Sequence, residues 1–379
     1  MSAFQAGDPI SDFLSNGQPQ NLVPLPEFDK RILKAEGTYQ EAHQPPELRD
    51  LQPLRRDQVR LMVLPRCSGP LIHTHFDALG EYLRPGDVLV VNNSRTLPAL
   101  LHAQDTEAAH GNQLEVRLAR RQSPDTWDAL LLEGRKRVGQ VGMRLDFGQG
   151  LSGQVLGPAP DLPFLWQIRF DPCCMPLVDL IYRLGEPVRY SYVEETYPID
   201  LYQTVYAAEP GSVEMPSAGR PFSWEMLLAL QHKGIGLATI TLHTSLSSTR
   251  DDELDATHPV YAEQFRVPEQ TALMINAAHA LGQNGRVIAV GTTVVRALET
   301  AAQPDGSLLP TSGWTHLHIS PGYQLRIVDA LLTGLHEPRS SHLDLLSALV
   351  EPDRLQMAYH EAIQQGYLWH EFGDVNLII

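Results

Sequence analysis

Gly285-Arg286-Val287-Ile288-Ala289-Val290-Gly291-Thr292-Thr293-Val294-Val295-Arg296 holds a strand, a turn and the start of a helix within one short segment. The strand over 286–290 has no polar alternation, so it needs cover on both faces, as in a parallel sheet flanked by helices. Gly291, Thr292 and Thr293 read as the turn, and a helix is predicted over 294–302. Free N–H groups at a helix start, with two hydroxyls beside them, suit a phosphate or carboxylate. A tight turn with Thr as cap accounts for the same residues without a ligand. Arg296 and Glu299, three apart, share one face of this helix.

The same strand–helix grammar extends to both sides. A helix over 224–233, capped by Ser223 and closed by Gly234, leads into a strand over 237–242. Pro268 can open a helix to about Leu281. Further helices are predicted over 343–350 and 355–365, and strands over 59–64 and 87–91. Between these halves the pattern changes. Residues 113–118, 127–132 and 165–170 alternate in polarity and are separated by glycines, which predicts a small antiparallel barrel. The simplest architecture is an α/β domain built from both ends of the chain (38–100 and 171–379) with a β-barrel (101–170) inserted. Residues 1–37 are polar and turn-rich and read as a flexible leader.

Length and charge bound the function. At 379 residues the chain is expected to hold two or three domains of ordinary size. The formal charge of −16 argues against a general nucleic-acid coat, although a local basic face is compatible with it. The cations are nearly all Arg, which grips phosphates and carboxylates in two-pronged fashion. Apolar runs such as 88–91 are far shorter than the ~18 residues of a membrane span, so no membrane association is expected. Cys67, Cys173 and Cys174 form no disulfide or zinc framework, and there is no secretory signal, so a cytoplasmic protein is expected. His243, His258 and Glu263, His73 with His75, and His316 with His318 invite a metal reading. None makes a complete ligand set, so no metal is expected.

Longer blocks then become recognisable. They are Leu83-Arg84-Pro85-Gly86-Asp87-Val88-Leu89-Val90-Val91-Asn92-Asn93-Ser94-Arg95, Tyr202-Gln203-Thr204-Val205-Tyr206-Ala207, and the segment from Gly285 to Arg296 continuing to Leu298-Glu299. With Pro321-Gly322, Asp329 and Gly373-Asp374, they resemble the S-adenosylmethionine:tRNA ribosyltransferase-isomerase family of queuosine biosynthesis, in family order from about Leu51 onward.

This resemblance implies a barrel-like α/β main domain with an inserted small antiparallel β-barrel domain. It implies S-adenosylmethionine as substrate, tRNA as partner and no metal. The ribosyl group would move to the aminomethyl group of a 7-deazaguanine base and rearrange to an epoxycyclopentanediol, with release of adenine and methionine. Such a site needs a general base, an anchor for the methionine tail and a donor for departing adenine. The candidates for proton transfer are His243, His336 and Glu299, and the candidate anchors are Arg296, Arg95 and the Gly291-Thr292-Thr293 turn. Arg95, Asn92, Gly291, Thr292, Thr293, Ser217 and Gly219 are the candidate binding residues. Several positions depart from the family pattern: Arg220 and Pro221 replace Leu and His, and the helix after His336 carries His342 and Asp344. Two other functions stay open at this point: a paralogue using S-adenosylmethionine on another acceptor or as a lyase, and a non-catalytic binding module.

Overall fold

The computed structural model describes residues 39–49, 55–107, 111–190, 192–246, 262–337, 342–369 and 371–379. The predicted leader over 1–37, and His258, lie outside them.

In chain order the principal strands are β1 (Arg60–Leu64), β2 (Ile72–His75), β3 (Val88–Asn92), β4 (Leu100–Asp105), β5 (Gln113–Arg121), β6 (Thr126–Glu133), β7 (Arg144–Gly148), β8 (Leu151–Ala159) and β9 (Leu162–Phe170). They continue with β10 (Gly236–Leu242), β11 (Glu263–Val267), β12 (Val287–Val290), β13 (Thr311–Thr315), β14 (Ala330–Gly334) and β15 (Val375–Ile378). The helices are α1 (Leu177–Leu184), α2 (Trp224–His232), α3 (Glu269–Ala280), α4 (Thr292–Ala301), α5 (His342–Leu346) and α6 (Pro352–Gln364).

The larger sheet is mixed, in the order β13-β11-β10-β3-β12-β14-β15-β1-β2. Its centre, β10-β3-β12-β14, is parallel. No pairing joins its two ends, β13 and β2, among the described residues. The uninterrupted apolar strands have the reason inferred from their sequence, burial on both faces. Val88, Val90, Val287 and Ala289 pack on one side with Ile275 of α3, Leu298 of α4 and Leu355 of α6. Leu89, Val91, Ile288 and Val290 pack on the other with Met226, Leu227 and Leu230 of α2. Burial of this kind contributes about 1.5–3 kcal/mol per large side chain.

The second sheet is antiparallel and runs β9-β8-β7-β4-β5-β6, and β9 also pairs with β6, so the pairings close a circuit. Its inward residues, among them Leu118, Trp127, Leu131 and Ile168, form a separate apolar cluster that also takes in Leu180 and Ile181 of α1.

Helix ends lie within a few residues of the bounds that the sequence predicts. Ser223 caps α2 by accepting the Met226 N–H at 3.3 Å. Helix α4 begins at Thr292, two residues before the predicted start, because Gly291 adopts the N-cap position at φ +91° and frees both threonines for the first turn. The helix predicted over 343–350 is shorter, ending at Leu346 and giving way to turns.

Candidate active site

The carboxyl ends of β10, β12 and β14 open into one cleft of about 970 Å³, its mouth included. Thr244 and Ser245 follow β10, Gly291, Thr292 and Thr293 follow β12, and Thr333, Gly334 and His336 close β14 and the turn after it. In open α/β sheets, ligands bind in the crevice beyond the carboxyl ends of parallel strands, because loops diverge there and helix N-termini converge.

Gly291 fixes the floor. Its φ of +91° is one that a side chain tolerates poorly. Its N–H donates to the Leu332 carbonyl at 2.8 Å, and its own carbonyl accepts from Val294 at 3.1 Å. That geometry sets Thr292 and Thr293 at the start of α4, on the cleft wall.

One turn later Arg296 reaches across the floor. Its Nε donates to the Leu317 carbonyl at 3.0 Å, Nη2 donates to the Thr315 carbonyl at 3.4 Å, and Nη1 pairs with Glu263 Oε2. Glu263 Oε1 accepts the Ser245 N–H at 2.9 Å. The two side chains are only 14% and 11% exposed, so each charge depends on the other for its solvation. Together they join α4, β11, the 315–317 segment and the loop after β10.

His336 is buried in the lining of the same cleft. Its Nε2 shares a hydrogen bond with Thr333 Oγ1 at 2.9 Å. Its ring lies parallel to that of His342, 4.3 Å between centroids with planes 4° apart. His342 also faces the cleft, as does His318, whose Nε2 is 3.9 Å from Asp344 Oδ2. At the mouth, Tyr190 Oη donates to Glu214 Oε2 at 3.2 Å. Nearby, the buried Glu371 carboxyl is held well above the usual carboxylate range by burial first and by Glu214 second, with Arg220 opposing.

Of the candidates read from the sequence, Arg296, His336, Gly291, Thr292, Thr293 and Ser217 line this cleft. The others do not. Glu299, although on the same helix as Arg296, turns its carboxylate to the backbone N–H groups of Arg326, Ile327 and Val328 at 2.9, 3.0 and 3.1 Å. A carboxylate so occupied fixes the course of the 326–328 loop. Asn92 braces the sheet: Oδ1 accepts from Ser94 N at 3.1 Å and Leu242 N at 3.0 Å, while Nδ2 donates to the Leu242 carbonyl at 2.8 Å. Arg95 donates to Tyr182 Oη at 3.2 Å, away from the cleft lining. Gly219 is a packing requirement, since a Cβ there would lie 1.9 Å from Tyr206 Oη.

His243 sits in a smaller neighbouring recess, where its Nδ1 shares a hydrogen bond with Ser94 Oγ at 2.7 Å. Burial and, after it, the Arg121 charge push its pKa down to about 4. Arg220 lies outside the cleft lining as well. It is buried, donates to Glu47 Oε2 and the Leu201 carbonyl, both at 2.8 Å, and packs on the Phe372 ring. Among the described residues no three His, Cys, Asp or Glu side chains gather in a metal-binding arrangement. His73 instead bonds Glu361 and Tyr367 at 2.8 and 2.9 Å.

Tyr190, Glu214, Ser245 and His342 also line the cleft and are not site candidates on the sequence alone. They come from four separate segments, so no spacing pattern links them. Glu263 and His318 stand out in the sequence only as metal candidates; the pairing of Glu263 with Arg296, 33 residues away, needs the fold to be seen.

Comparison with known proteins places these features in a family. The family described as queuosine biosynthesis protein matches residues 40–378. The S-adenosylmethionine:tRNA ribosyltransferase-isomerase of Moorella thermoacetica is 42% identical over 329 residues, covering 86% of this chain and 94% of that protein. The protein of the same name from Symbiobacterium thermophilum is 40% identical over 344 residues, covering 88% and 97%. A crystal structure of S-adenosylmethionine tRNA ribosyltransferase from Thermotoga maritima is similar with 30% identity, 89% and 99% coverage and a TM-score of 0.47. No helix among the described residues is long and apolar enough to cross a membrane. With the family match running almost the whole length from Gln40 onward, the chain belongs to the queuosine biosynthesis protein family.

Proposed function

We propose that this protein transfers the ribosyl group of S-adenosylmethionine to the aminomethyl group of a 7-deazaguanine base in tRNA and isomerises it to the epoxycyclopentanediol, with release of adenine and methionine. The observation that carries the reading is the cleft itself: a helix start bearing two threonine hydroxyls, a buried Arg296–Glu263 pair and the imidazole of His336 face one space. Relatives about 40% identical over most of the chain bear the corresponding name.

S-adenosylmethionine is the substrate, and its sulfonium supplies the activation, so the chemistry calls for no metal. The positive sulfur acidifies the adjacent ribose methylene. His336, of the three proton-transfer candidates the one on the cleft wall, takes that proton. The ring opens as adenine leaves, the amine of the base attacks, and methionine departs as the epoxide closes. The Thr292 and Thr293 N–H groups at the start of α4 hold the methionine carboxylate. Glu263 and Glu214 favour the ammonium and sulfonium charges, and Arg296 is the positioning residue that keeps Glu263 in place.

The domain division belongs to the same reading. Residues 38–100 and 171–379 form a barrel-like α/β main domain around the cleft, and 101–170 form an inserted small β-barrel.

Incubation with S-adenosylmethionine, with and without tRNA carrying the aminomethyl-deazaguanine, tests the reading by mass spectrometry of adenine and methionine. Release that requires this tRNA supports it. Release without tRNA replaces it with a small-molecule or lyase activity, and binding without release replaces it with a binding module.

A further inference from the structure

The smaller recess beside the cleft has a composition that the reaction above does not use. It is lined by Arg121 at the end of β5, His243 after β10, Gln264 on β11 and Trp314 on β13, and it shares Thr244 with the main cleft. The β11–β13 ribbon pairs Gln264 with Trp314 and Arg266 with Ser312. Alternation along the two strands buries Glu263, Phe265 and Thr315 and turns Gln264, Arg266, Ser312 and Trp314 outward. Trp314 is 39% exposed, a large aromatic left in water.

The charges around it are not equivalent. The Arg120 guanidinium lies 6.0 Å from the Trp314 ring, but it is already paired with both Asp128 and Asp161, a trio of net charge −1, so it orients the indole and is not a phosphate contact. Arg121 donates to the Ser123 carbonyl at 3.2 Å rather than to a carboxylate. Its field extends into the recess, where it contributes to keeping His243 neutral.

We propose that this recess and the outward face of the β11–β13 ribbon are the landing surface for the single-stranded RNA that flanks the base in the cleft, with Trp314 stacking a neighbouring base and Arg121 and Arg266 holding phosphates. This rests on the reading that the acceptor is a tRNA base. A base delivered to a cleft at strand ends must leave its stack, which leaves its neighbours exposed and able to stack on an aromatic side chain. A chain of net charge −16 repels RNA in general, so attachment has to come from a few local arginines and an aromatic platform next to the site. Exposed Arg135, Lys136 and Arg137, in the hairpin that follows the far end of β6, are a second basic patch. Eight residues of strand, about 25 Å at 3.3 Å each, separate it from the end of the barrel nearest the recess.

Fluorescence anisotropy with a labelled stem-loop RNA, titrated with the full chain, separates this proposal from the reading it rests on, because it needs no turnover. Arg121→Glu, Arg266→Glu and Trp314→Ala are each expected to weaken RNA binding about tenfold, and each arginine change to lower the salt slope by about one. Arg135→Glu should leave the affinity within about twofold, S-adenosylmethionine affinity should stay unchanged in all four, and melting temperature should stay unchanged in the exposed Arg266 and Arg135 variants. The proposal is overturned if wild type does not bind the RNA, if the first three variants bind as wild type does, or if Arg135→Glu loses as much as they do. If wild type binds RNA and the variants lose it while no ribosyl transfer occurs with modified tRNA, the landing surface stands and the reaction assigned above does not.

Discussion

Glu263 divides its carboxylate between two partners that the chain keeps apart: Oε2 pairs with Arg296 on α4, and Oε1 accepts the Ser245 N–H at 2.9 Å. One buried acid therefore sets the position of the cleft floor and of the loop after β10 together. Its negative charge is tolerable there because the guanidinium and the amide solvate it.

Removing the cation should expose that dependence. Arg296→Ala leaves Glu263 buried without its counter-charge, a loss of about 3–5 kcal/mol when one member of a buried pair is deleted. Turnover is expected to fall by at least about a hundredfold, the scale of one lost electrostatic contact in an active site. Thermal melting read beside S-adenosylmethionine turnover checks both. Wild-type turnover in Arg296→Ala would remove the Arg296–Glu263 pair from the site.

Glu299 sits one turn further along the same helix, and its substitution should behave differently. Three backbone N–H groups, of Arg326, Ile327 and Val328, converge on its carboxylate. Glu299→Gln keeps one acceptor oxygen but points an NH₂ at a donor, so stability should drop by about 1–3 kcal/mol. Activity per folded molecule should stay near wild type. Urea unfolding combined with turnover at low temperature tests this, and a turnover loss of a hundredfold in fully folded protein would return Glu299 to the chemistry.

These two residues also mark how far the sequence could be read. The α4 unit was legible because a four-residue apolar strand, a glycine and two threonines leave few alternatives for the backbone. Helix caps such as Ser223 and the alternating strands of 113–170 were legible for the same local reason. What spacing could not decide was the direction of each polar side chain. Arg296 and Glu299 lie three apart on one helix, yet one reaches Glu263 across the cleft and the other the loop at 326–328. In the sequence His342 is a departure in an apolar helix, and only the fold brings its ring onto that of His336. Asn92 and Gly219 sit in conspicuous motifs, and only the fold shows Asn92 holding Leu242 and reaching Thr293 Oγ1 at 3.4 Å, and Gly219 leaving room for Tyr206.

Gly291 offers a test of the floor that leaves every charge in place. Space is not the obstacle to a side chain, since the atoms nearest an added Cβ are 3.5 and 3.6 Å away. The obstacle is the backbone, which at φ +91° strains any L-residue. Gly291→Ala should cost about 1–3 kcal/mol, relieved only by rotating the first amides of α4 away from the cleft. S-adenosylmethionine affinity should therefore weaken about tenfold or more while far-ultraviolet dichroism is retained. Calorimetric titration reads this directly, and unchanged affinity would show that the helix start does not hold the substrate.

His243 predicts how the fold responds to acid. Its imidazole is pushed from 6.5 down to about 4 by burial and by Arg121, and its Nδ1 is tied to Ser94 Oγ, which in turn bonds Ser212 Oγ at 2.6 Å. A proton on the ring would set a second cation beside Arg121 in a site with little water. In the unfolded chain the same imidazole titrates normally, so between these values the unfolded state binds more protons. Stability then rises with pH across the window and is lost as pH falls from about 6.5 toward about 4, by up to about 3 kcal/mol for this group. His243→Asn removes the titration while keeping a polar side chain on the serine pair. The slope of unfolding free energy between about pH 7 and about pH 4.5 should flatten by about 2 kcal/mol relative to wild type, whatever the variant's absolute stability. Parallel slopes for the two proteins would mean that the folded state protonates His243 as readily as the unfolded chain does.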